Sequence, residues 1–468
     1  SSEYMYKDGM LSEDIYSFDN ANGTPYAAEA RSHWATMGMF ARLNWNYRNI
    51  YFLEFSGRYD GSSRFAPDNR WGFFPSFSAG YDISRTPYFT KLNLPVSQLK
   101  VRVSYGRLGN QNGAGLYDYL GVMTLDPNNV NAWLLPGTGN KPAKGTISLT
   151  PKMISPYITW EKVDNANIGL DLMLFDDRLS VTFDAYQRTT KDMIGPAEAI
   201  PAVSGIVPDD RAKINNATLR NRGWELSVNW QDKLKCGFSY GIGFNLFDYK
   251  AVVTKYNNPE GIIYNNHTGL ARNKGYYEGM DIGEIWGFVA DDLFMTNREV
   301  DDYLQSKDLS FFKADNLWQA GDLKYIDVNR DGKVDPGKGT LDDHGDLRII
   351  GNTTPKYSFG INLKAGYKGF QVSTLFQGVG KRDFPLAGST YLFGGKNYFK
   401  EHLDYFSPQN PDAYLPRLAD PKTDDYRVNA GYNTTRYMVN AAYMRMKNLT
   451  VSYTFDKKML KALRLENL

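Results

Sequence analysis

The sequence predicts an all-β fold, a transmembrane antiparallel β-barrel of which this chain forms a part. Apolar and polar side chains alternate along many segments, as in strands with one apolar and one polar face. The connections between these segments are alternately short and long. The chain also combines 33 Tyr, 26 Phe and 9 Trp with a mean hydropathy of -0.49. This combination suits a lipid-facing band with aromatic girdles around a wet interior.

The alternation defines the strands. At residues 39–47, apolar side chains at odd positions alternate with mostly polar ones at even positions, and the pattern returns over 51–60 after a break at 48–49. The two runs read as a hairpin. The same alternation recurs at 73–83, 101–106, 167–174, 179–185, 224–230, 238–245, 357–364, 370–377 and 449–455. We therefore expect roughly eleven strands, several of them about as long as a tilted bilayer crossing requires.

The connections fall into two length classes. Short turns are expected at 48–49, 175–178, 231–236 and 366–368, and long connections at 108–162, 191–221, 251–354 and 381–441. Outer-membrane barrels have short periplasmic turns and long extracellular loops. A soluble β-sandwich or propeller would also alternate along its strands, but would not sort its loops in this way.

Several classes of protein are disfavoured by composition. The formal net charge of +2 gives no reason to expect nucleic acid as a partner. Cys236 is the only cysteine, so no internal disulfide forms. No apolar run is long enough for a transmembrane helix, and the first residues do not resemble a signal peptide.

The number of strands suggests a longer protein. Bacterial barrels close with an even number of strands, and an open sheet edge is not tolerated in lipid. The segment after residue 455 reads as a turn that a further strand should follow, and residues 1–35 read as the end of an extracellular loop. We therefore expect residues 1–468 to be the C-terminal portion of a barrel whose final strand or strands lie outside this sequence.

An acidic loop is the sharpest local motif. Carboxylate and amide oxygens at spacings 1, 3 and 5 converge on one hard cation, a glycine at 6 permits the turn, position 7 offers a carbonyl and position 9 another acid. These positions are filled by Asp327, Asn329, Asp331, Gly332, Lys333 and Asp335. Position 12, which should be a bidentate acid, is Lys338. The motif predicts a structural Ca²⁺ site; the alternative is a solvated turn.

Seven segments together resemble the SusC-type TonB-dependent outer-membrane transporters. In chain order they are FARLNWNYRNIY (40–51), RYDGSSRF (58–65), WGFFPS (71–76), LKVRVSYGRLGN (99–110), WEK (160–162), NRGWE (221–225) and MRMKNLTVSYTF (444–455). The family often carries a similar acidic loop that ends in an acid just before an Ile-Ile-Gly-like run. The resemblance therefore places Asp346 as the last ligand, after an insertion that contains Asp342 and Asp343.

The resemblance implies a 22-stranded barrel in the outer membrane of a Gram-negative bacterium. It implies an N-terminal plug domain outside this sequence and uptake driven by the TonB complex through that plug. It further implies a SusD-like surface lipoprotein as partner and glycans or peptides as cargo. Residues 251–354 would form a long extracellular loop region containing the calcium-type loop.

Two further sets of residues could contact cargo. Ionisable side chains on the polar face could line its path, although a generic hydrated interior is the simpler interpretation: Arg42, Glu54, Arg58, Arg102, Asp171, Asp184 and Glu225. Loop aromatics could stack on sugar rings, although such residues more often pack loops together: Trp133, Trp286, Phe288, Tyr391 and Phe393. No zinc-ligand spacing, nucleophile elbow or P-loop is present, so we expect no catalytic residues and no enzyme.

Two alternatives to an active transporter remain open. A passive porin shares the strand pattern but lacks the plug and the lipoprotein lid. A secreted β-rich binding module or hydrolase stabilised by calcium would share the alternation and the acidic loop, and a pair of glycosidase carboxylates need not be close in sequence.

Overall fold

The computed structural model of the protein describes most of the chain. The described residues are 2–6, 26–30, 32–116, 118–121, 125–126, 134–136, 142–144, 147–148, 153–196, 212–263, 276–312, 318–386, 399–419, 425, 427–455 and 460.

One antiparallel sheet of eleven strands dominates the structure, and each strand pairs with its neighbours in chain order. This confirms the predicted all-β fold. The strands are β1 Thr36–Tyr47, β2 Tyr51–Ser62, β3 Trp71–Asp82, β4 Val96–Asn110, β5 Glu161–Leu174, β6 Leu179–Pro196, β7 Lys213–Lys233, β8 Ser239–Lys255, β9 Lys356–Tyr367, β10 Phe370–Lys381 and β11 Tyr443–Tyr453.

Shorter elements lie in the connections. The two-stranded pairs are Ser2–Tyr6 with Tyr26–Ala30, Leu125–Asp126 with Ile147–Ser148, Leu134–Pro136 with Pro142–Lys144, Glu284–Phe288 with Leu347–Asn352, Ala290–Leu293 with Leu323–Tyr325, and Asp383–Pro385 with Met438–Asn440. The helical segments are Pro67–Asn69, Ile83–Arg85, Pro87–Thr90, Asn297–Leu304, Lys400–Leu403 and Arg427–Gly431. In the part of the chain that the structure describes, no helix is long and apolar enough to cross a membrane, a finding that does not bear on spans made of strands.

The two ends of the sheet differ as predicted. At one end the connections are short: 48–50, 83–95, 175–178, 234–238 and 368–369. We call this the short-turn end. Arg48 and Asn49 both have φ 54°, the left-handed conformation that a tight hairpin between twisted strands requires. At the other end, the connections after β4, β8 and β10 run to tens of residues, whereas those after β2 and β6 are shorter, at 63–70 and 197–212.

Several strands extend further than the alternation predicts. β6 continues to Pro196 and β7 begins at Lys213, so the predicted connection at 191–221 shrinks to 197–212. β7 also continues to Lys233, so the turn expected at 231–236 lies at 234–238. The apolar alternation ends before the strands do. Backbone hydrogen bonds between strands do not require apolar side chains, so the strands continue where both faces are mostly polar.

The sheet has one apolar and one polar face. We call the apolar one the outer face; Leu43, Phe55, Phe77 and Tyr105 lie on it in one row across β1 to β4. Leu43 remains 66% exposed and Ile242, on β8, 50% exposed. Because so much apolar surface is not covered by protein, the outer face is suited to lipid. We call the opposite, polar face the inner face.

The two longest connections share a hydrophobic core of their own. Phe288, Leu293 and Tyr325 come from the β8–β9 connection, and Val428 and Tyr437 from the β10–β11 connection; all are at most 1% exposed. The described residues of the predicted loop region 251–354 therefore pack together with the described residues of 405–437. We call this unit the loop domain.

Removing a buried leucine should destabilise the loop domain. Leu293 is 1% exposed, whereas Leu403 is 73% exposed. Leu293→Ala should cost about 3 kcal/mol, whereas Leu403→Ala should stay within about 0.5 kcal/mol. The larger cost raises the population of the opened loop domain roughly 150-fold, and native-state proteolysis should cleave it faster by a similar factor. Equal cleavage of the two variants would contradict the assigned core.

Candidate functional site

The acidic loop, residues 327–346, lies within the loop domain. It follows the strand Leu323–Tyr325 and precedes the strand Leu347–Asn352. Its two ends are anchored by buried carboxylates, since Asp327 is 8% and Asp346 1% exposed.

Asp327 organises the first turn of the loop. Its Oδ1 accepts from the backbone N–H of Arg330 at 2.6 Å, and its Oδ2 from that of Gly332 at 3.0 Å. Gly332 has φ +88°, so the predicted turn glycine does adopt the left-handed conformation. The Lys307 ammonium lies 2.6 Å from Asp327 Oδ2. Burial opposes ionisation of Asp327, but Lys307 and the two N–H groups outweigh it and lower the pKa.

The next three acceptor side chains each accept a hydrogen bond from the backbone N–H two residues further along the chain. Asn329 Oδ1 accepts from Asp331 N at 3.0 Å, and Asp331 Oδ1 accepts from Lys333 N at 2.8 Å. Asp335 Oδ1 accepts in the same way from Gly337 N at 2.7 Å. These are the local turns that Asp and Asn favour, so the spacing of the motif accounts for this part of the loop.

Asp346 closes the loop. Its Oδ1 accepts from Val328 N at 2.6 Å and from Asn329 N at 3.2 Å, and its Oδ2 accepts from Asp335 N at 3.0 Å. The structure thus brings the acid from beyond the insertion against the start of the motif. Burial raises the pKa of Asp346, even though the three N–H groups favour its charged form.

The predicted ligands fit Ca²⁺ in donor chemistry, since they are oxygens drawn from one loop. Their grouping differs from that of a metal cage, because the oxygens named above accept from backbone N–H groups and Lys307 supplies the cation beside Asp327. Within the described residues, no three His, Cys, Asp or Glu side chains are placed to hold one ion. Asp342 and Asp343 lie on a separate turn, in which Thr340 N donates to Asp343 O at 3.1 Å.

Charged residues on the inner face form pairs. Arg102 Nε lies 2.7 Å from Asp171 Oδ2, and its Nη2 lies 3.1 Å from Asp184 Oδ2. Arg42 pairs with Glu54 at 3.4 Å and Arg58 with Asp60 at 3.1 Å. Glu225 differs, since it lies opposite Phe247 on β8 and opposite the like-charged Asp184 on β6. Because most of these charges are paired with an opposite charge, they form a hydrated wall. They do not converge on one point where a ligand would bind.

The predicted loop aromatics pack inside the loop domain. Trp286 is 8% and Phe288 1% exposed. Trp286 Nε1 donates to Glu284 Oε1 at 3.1 Å, and Phe288 packs against Phe312 with ring centroids 5.0 Å apart. Neither ring is available as a stacking surface, so for these two residues loop packing, the more common role, is confirmed and cargo contact is wrong. Trp133, Tyr391 and Phe393 lie outside the described residues.

Two cavities were not predicted from sequence. One of about 580 Å³ lies at the short-turn end of the sheet, and its lining includes Arg178, Asp232 and Lys364. Another of about 340 Å³ lies beside the acidic loop and is lined by Asp308, Phe311 and Asp335, among others. The walls of the first cavity come from strands far apart in the chain, whereas the second combines residues 308–311 with residues 333–337 of the acidic loop. No single motif therefore marks either cavity.

Comparisons with known proteins agree with this geometry. The model of the family described as "TonB dependent receptor-like, beta-barrel" matches residues 2–468. TonB-dependent receptor P3 of Formosa agariphila is 26% identical, over 91% of this chain and 39% of its own length. TonB-dependent receptor SusC of Bacteroides thetaiotaomicron is 25% identical, over 97% of this chain and 42% of its own length.

A solved structure supports the fold. The RagAB peptide importer in its closed-closed state superposes with a TM-score of 0.69 at 20% identity, covering 98% of this chain and 46% of that one. The chain spans about two fifths of the length of the curated relatives named above, at 39% and 42%. With the family match covering nearly every residue, the chain belongs to the TonB-dependent receptor-like β-barrel family.

Proposed function

We propose that this chain is the barrel portion of an active importer in the outer membrane of a Gram-negative bacterium, energised by the TonB complex through a plug domain. The eleven-strand antiparallel sheet, with a family match over 2–468, carries the proposal. The short turns would face the periplasm, and the loop domain would face the outside.

The two faces of the sheet favour this function over the alternatives. A secreted module would bury its apolar face, whereas here the outer face leaves Leu43 66% and Ile168 54% exposed. A passive porin would share that face, but family membership favours coupling to TonB.

The cargo class and partner follow by analogy. One relative is SusC, and one structural neighbour, RagAB, is a peptide importer. We infer that the protein takes up glycans or peptides and works with a SusD-like surface lipoprotein. The loop domain, which would lie outside the membrane, offers that lipoprotein a folded surface rather than loose loops.

We also propose that the acidic loop binds a structural Ca²⁺. Asp327, Asn329, Asp331 and Asp335 would supply side-chain oxygens, Lys333 a backbone carbonyl and Asp346 the last carboxylate. The ion would replace the Lys307 ammonium beside Asp327 and neutralise two buried carboxylates.

Uptake should depend on TonB. In cells carrying the full-length protein, deletion of tonB should abolish accumulation of labelled oligosaccharide or oligopeptide, because a plugged barrel opens only when energised. Restoring tonB should restore uptake, and entry of a small porin-permeant solute serves as the control. Uptake that is indifferent to tonB would favour the porin.

Calcium should stabilise the loop domain. Ca²⁺ at about a hundred times its dissociation constant should add about 2.7 kcal/mol and raise the melting temperature measured by calorimetry. Asp331→Ala should abolish this shift, and Lys307→Met should increase calcium affinity by removing a competing cation. Asp302→Ala is the matched control, since that acid is 67% exposed on a helix. The site is contradicted if calcium shifts wild type and Asp331→Ala equally, or shifts neither.

A further inference from the structure

Basic side chains appear on the outer face where the strands pass beyond their apolar stretch. Along β7 from the short-turn end, against the chain direction, the outward residues Leu226 and Trp224 are followed by Arg222 and Arg220. A bilayer is crossed by about 9–11 tilted residues. Counted from Lys233 at the short-turn end, that crossing is complete near Arg222. The change from apolar to basic therefore falls where the outer leaflet's headgroups would lie.

The strand register places like charges directly opposite each other. Arg222 on β7 is paired with Lys250 on β8, and both face outward. Directly opposed side chains on neighbouring strands have Cβ atoms about 4.5–5.5 Å apart, and like charges there destabilise the sheet. A second such pair, Lys162 on β5 and Lys191 on β6, occurs in the same region. Such pairs favour an anion between or above them.

The acids of this region leave part of the positive charge uncompensated. Asp164 is shared by Arg107 at 2.7 Å and Lys191 at 2.9 Å, and Lys162 pairs with Asp192 at 2.9 Å. On β4 to β6, three cations therefore share two acids, but each cation has an acidic partner within 3 Å.

The cations with a longer acidic contact, or with none, lie on β7 and β8. Lys250 has Asp281 at 3.6 Å, and Asp248 lies opposite Trp224. Arg222 Nε instead donates to the neutral Gln187 Oε1 at 2.6 Å. Among the described residues, Arg220 has no acidic partner within ion-pair distance. We call Arg220, Arg222 and Lys250 the basic band.

We propose that the basic band binds the phosphate of an anionic glycolipid in the outer leaflet. A guanidinium matches phosphate oxygens in a bidentate geometry, and two arginines one pleat apart, about 7 Å, can engage one headgroup. Acyl chains would continue down the apolar outer face past Trp224 and Leu226. The proposal rests on the outer-membrane location proposed above.

Lipid binding to the full-length protein tests this proposal. Protein purified from outer membranes in neutral detergent is titrated with bisphosphorylated lipid A and, separately, with dephosphorylated lipid A. The test variant is R220Q/R222Q. The matched control is R188Q/K364Q, which removes two cations from the inner face: Arg188 lies opposite Asn221, and Lys364 lies one residue beyond the outward Leu363.

Each basic residue near a charged lipid surface contributes roughly a fivefold change in affinity. R220Q/R222Q should therefore bind phosphorylated lipid A on the order of 25-fold more weakly, while the control binds like wild type. Dephosphorylated lipid A should not distinguish the three proteins. If R220Q/R222Q does not assemble, the single variants R220Q and R222Q should each lose about fivefold.

Equal binding by wild type and R220Q/R222Q, or equal losses in test and control variants, overturns the proposal. Equal affinity of wild type for phosphorylated and dephosphorylated lipid A overturns it as well. Membrane fractionation separates this failure from failure of the proposed function. Wild-type protein absent from the outer membrane contradicts the importer, whereas correctly located protein with unchanged lipid binding contradicts only the basic band.

Discussion

Strand-to-strand hydrogen bonding is the constraint on which the rest of the structure depends. In lipid, a backbone N–H or C=O without a partner costs several kcal/mol, so each spanning strand must pair along its length. Here eleven strands pair in chain order with few register shifts. A register that is continuous apart from these shifts fixes which side chains share a face. The apolar outer face, the paired charges of the inner face and the rows of opposed cations all follow from it.

The sequence predicts the strands well where a face is apolar and poorly where it is not. Around Leu226 and Val228 the period of two is clear, because every second side chain must meet an apolar medium. Beyond Trp224 that requirement ends, and the ladder continues through Arg222 and Arg220 with no pattern to mark it. The predicted start of β7, near Trp224, is therefore wrong, and the actual start at Lys213 reveals the basic band.

The acidic loop shows the same division between local and distant causes. Its caps at Asn329 and Asp331 involve partners two residues away, so the spacing of the motif predicts them. Lys307 comes from an unrelated turn, and no sequence pattern predicts its contact with Asp327. Asp346 was predicted only because the family resemblance pointed to it. The sequence thus predicts the local turns of the acidic loop. It does not predict which charged residues surround the loop, because these are brought there by the tertiary fold.

The common core of the two long connections explains how the acidic loop is held in place. Asp322, which is fully buried, accepts from Arg417 Nε at 2.6 Å and from Asn429 Nδ2 at 2.8 Å. A buried carboxylate is tolerated only with such partners, so the two long connections must assemble together. The acidic loop begins five residues after this point, at Asp327. Its geometry therefore depends on contacts made by the β10–β11 connection, and a change in either connection reaches the other through Asp322.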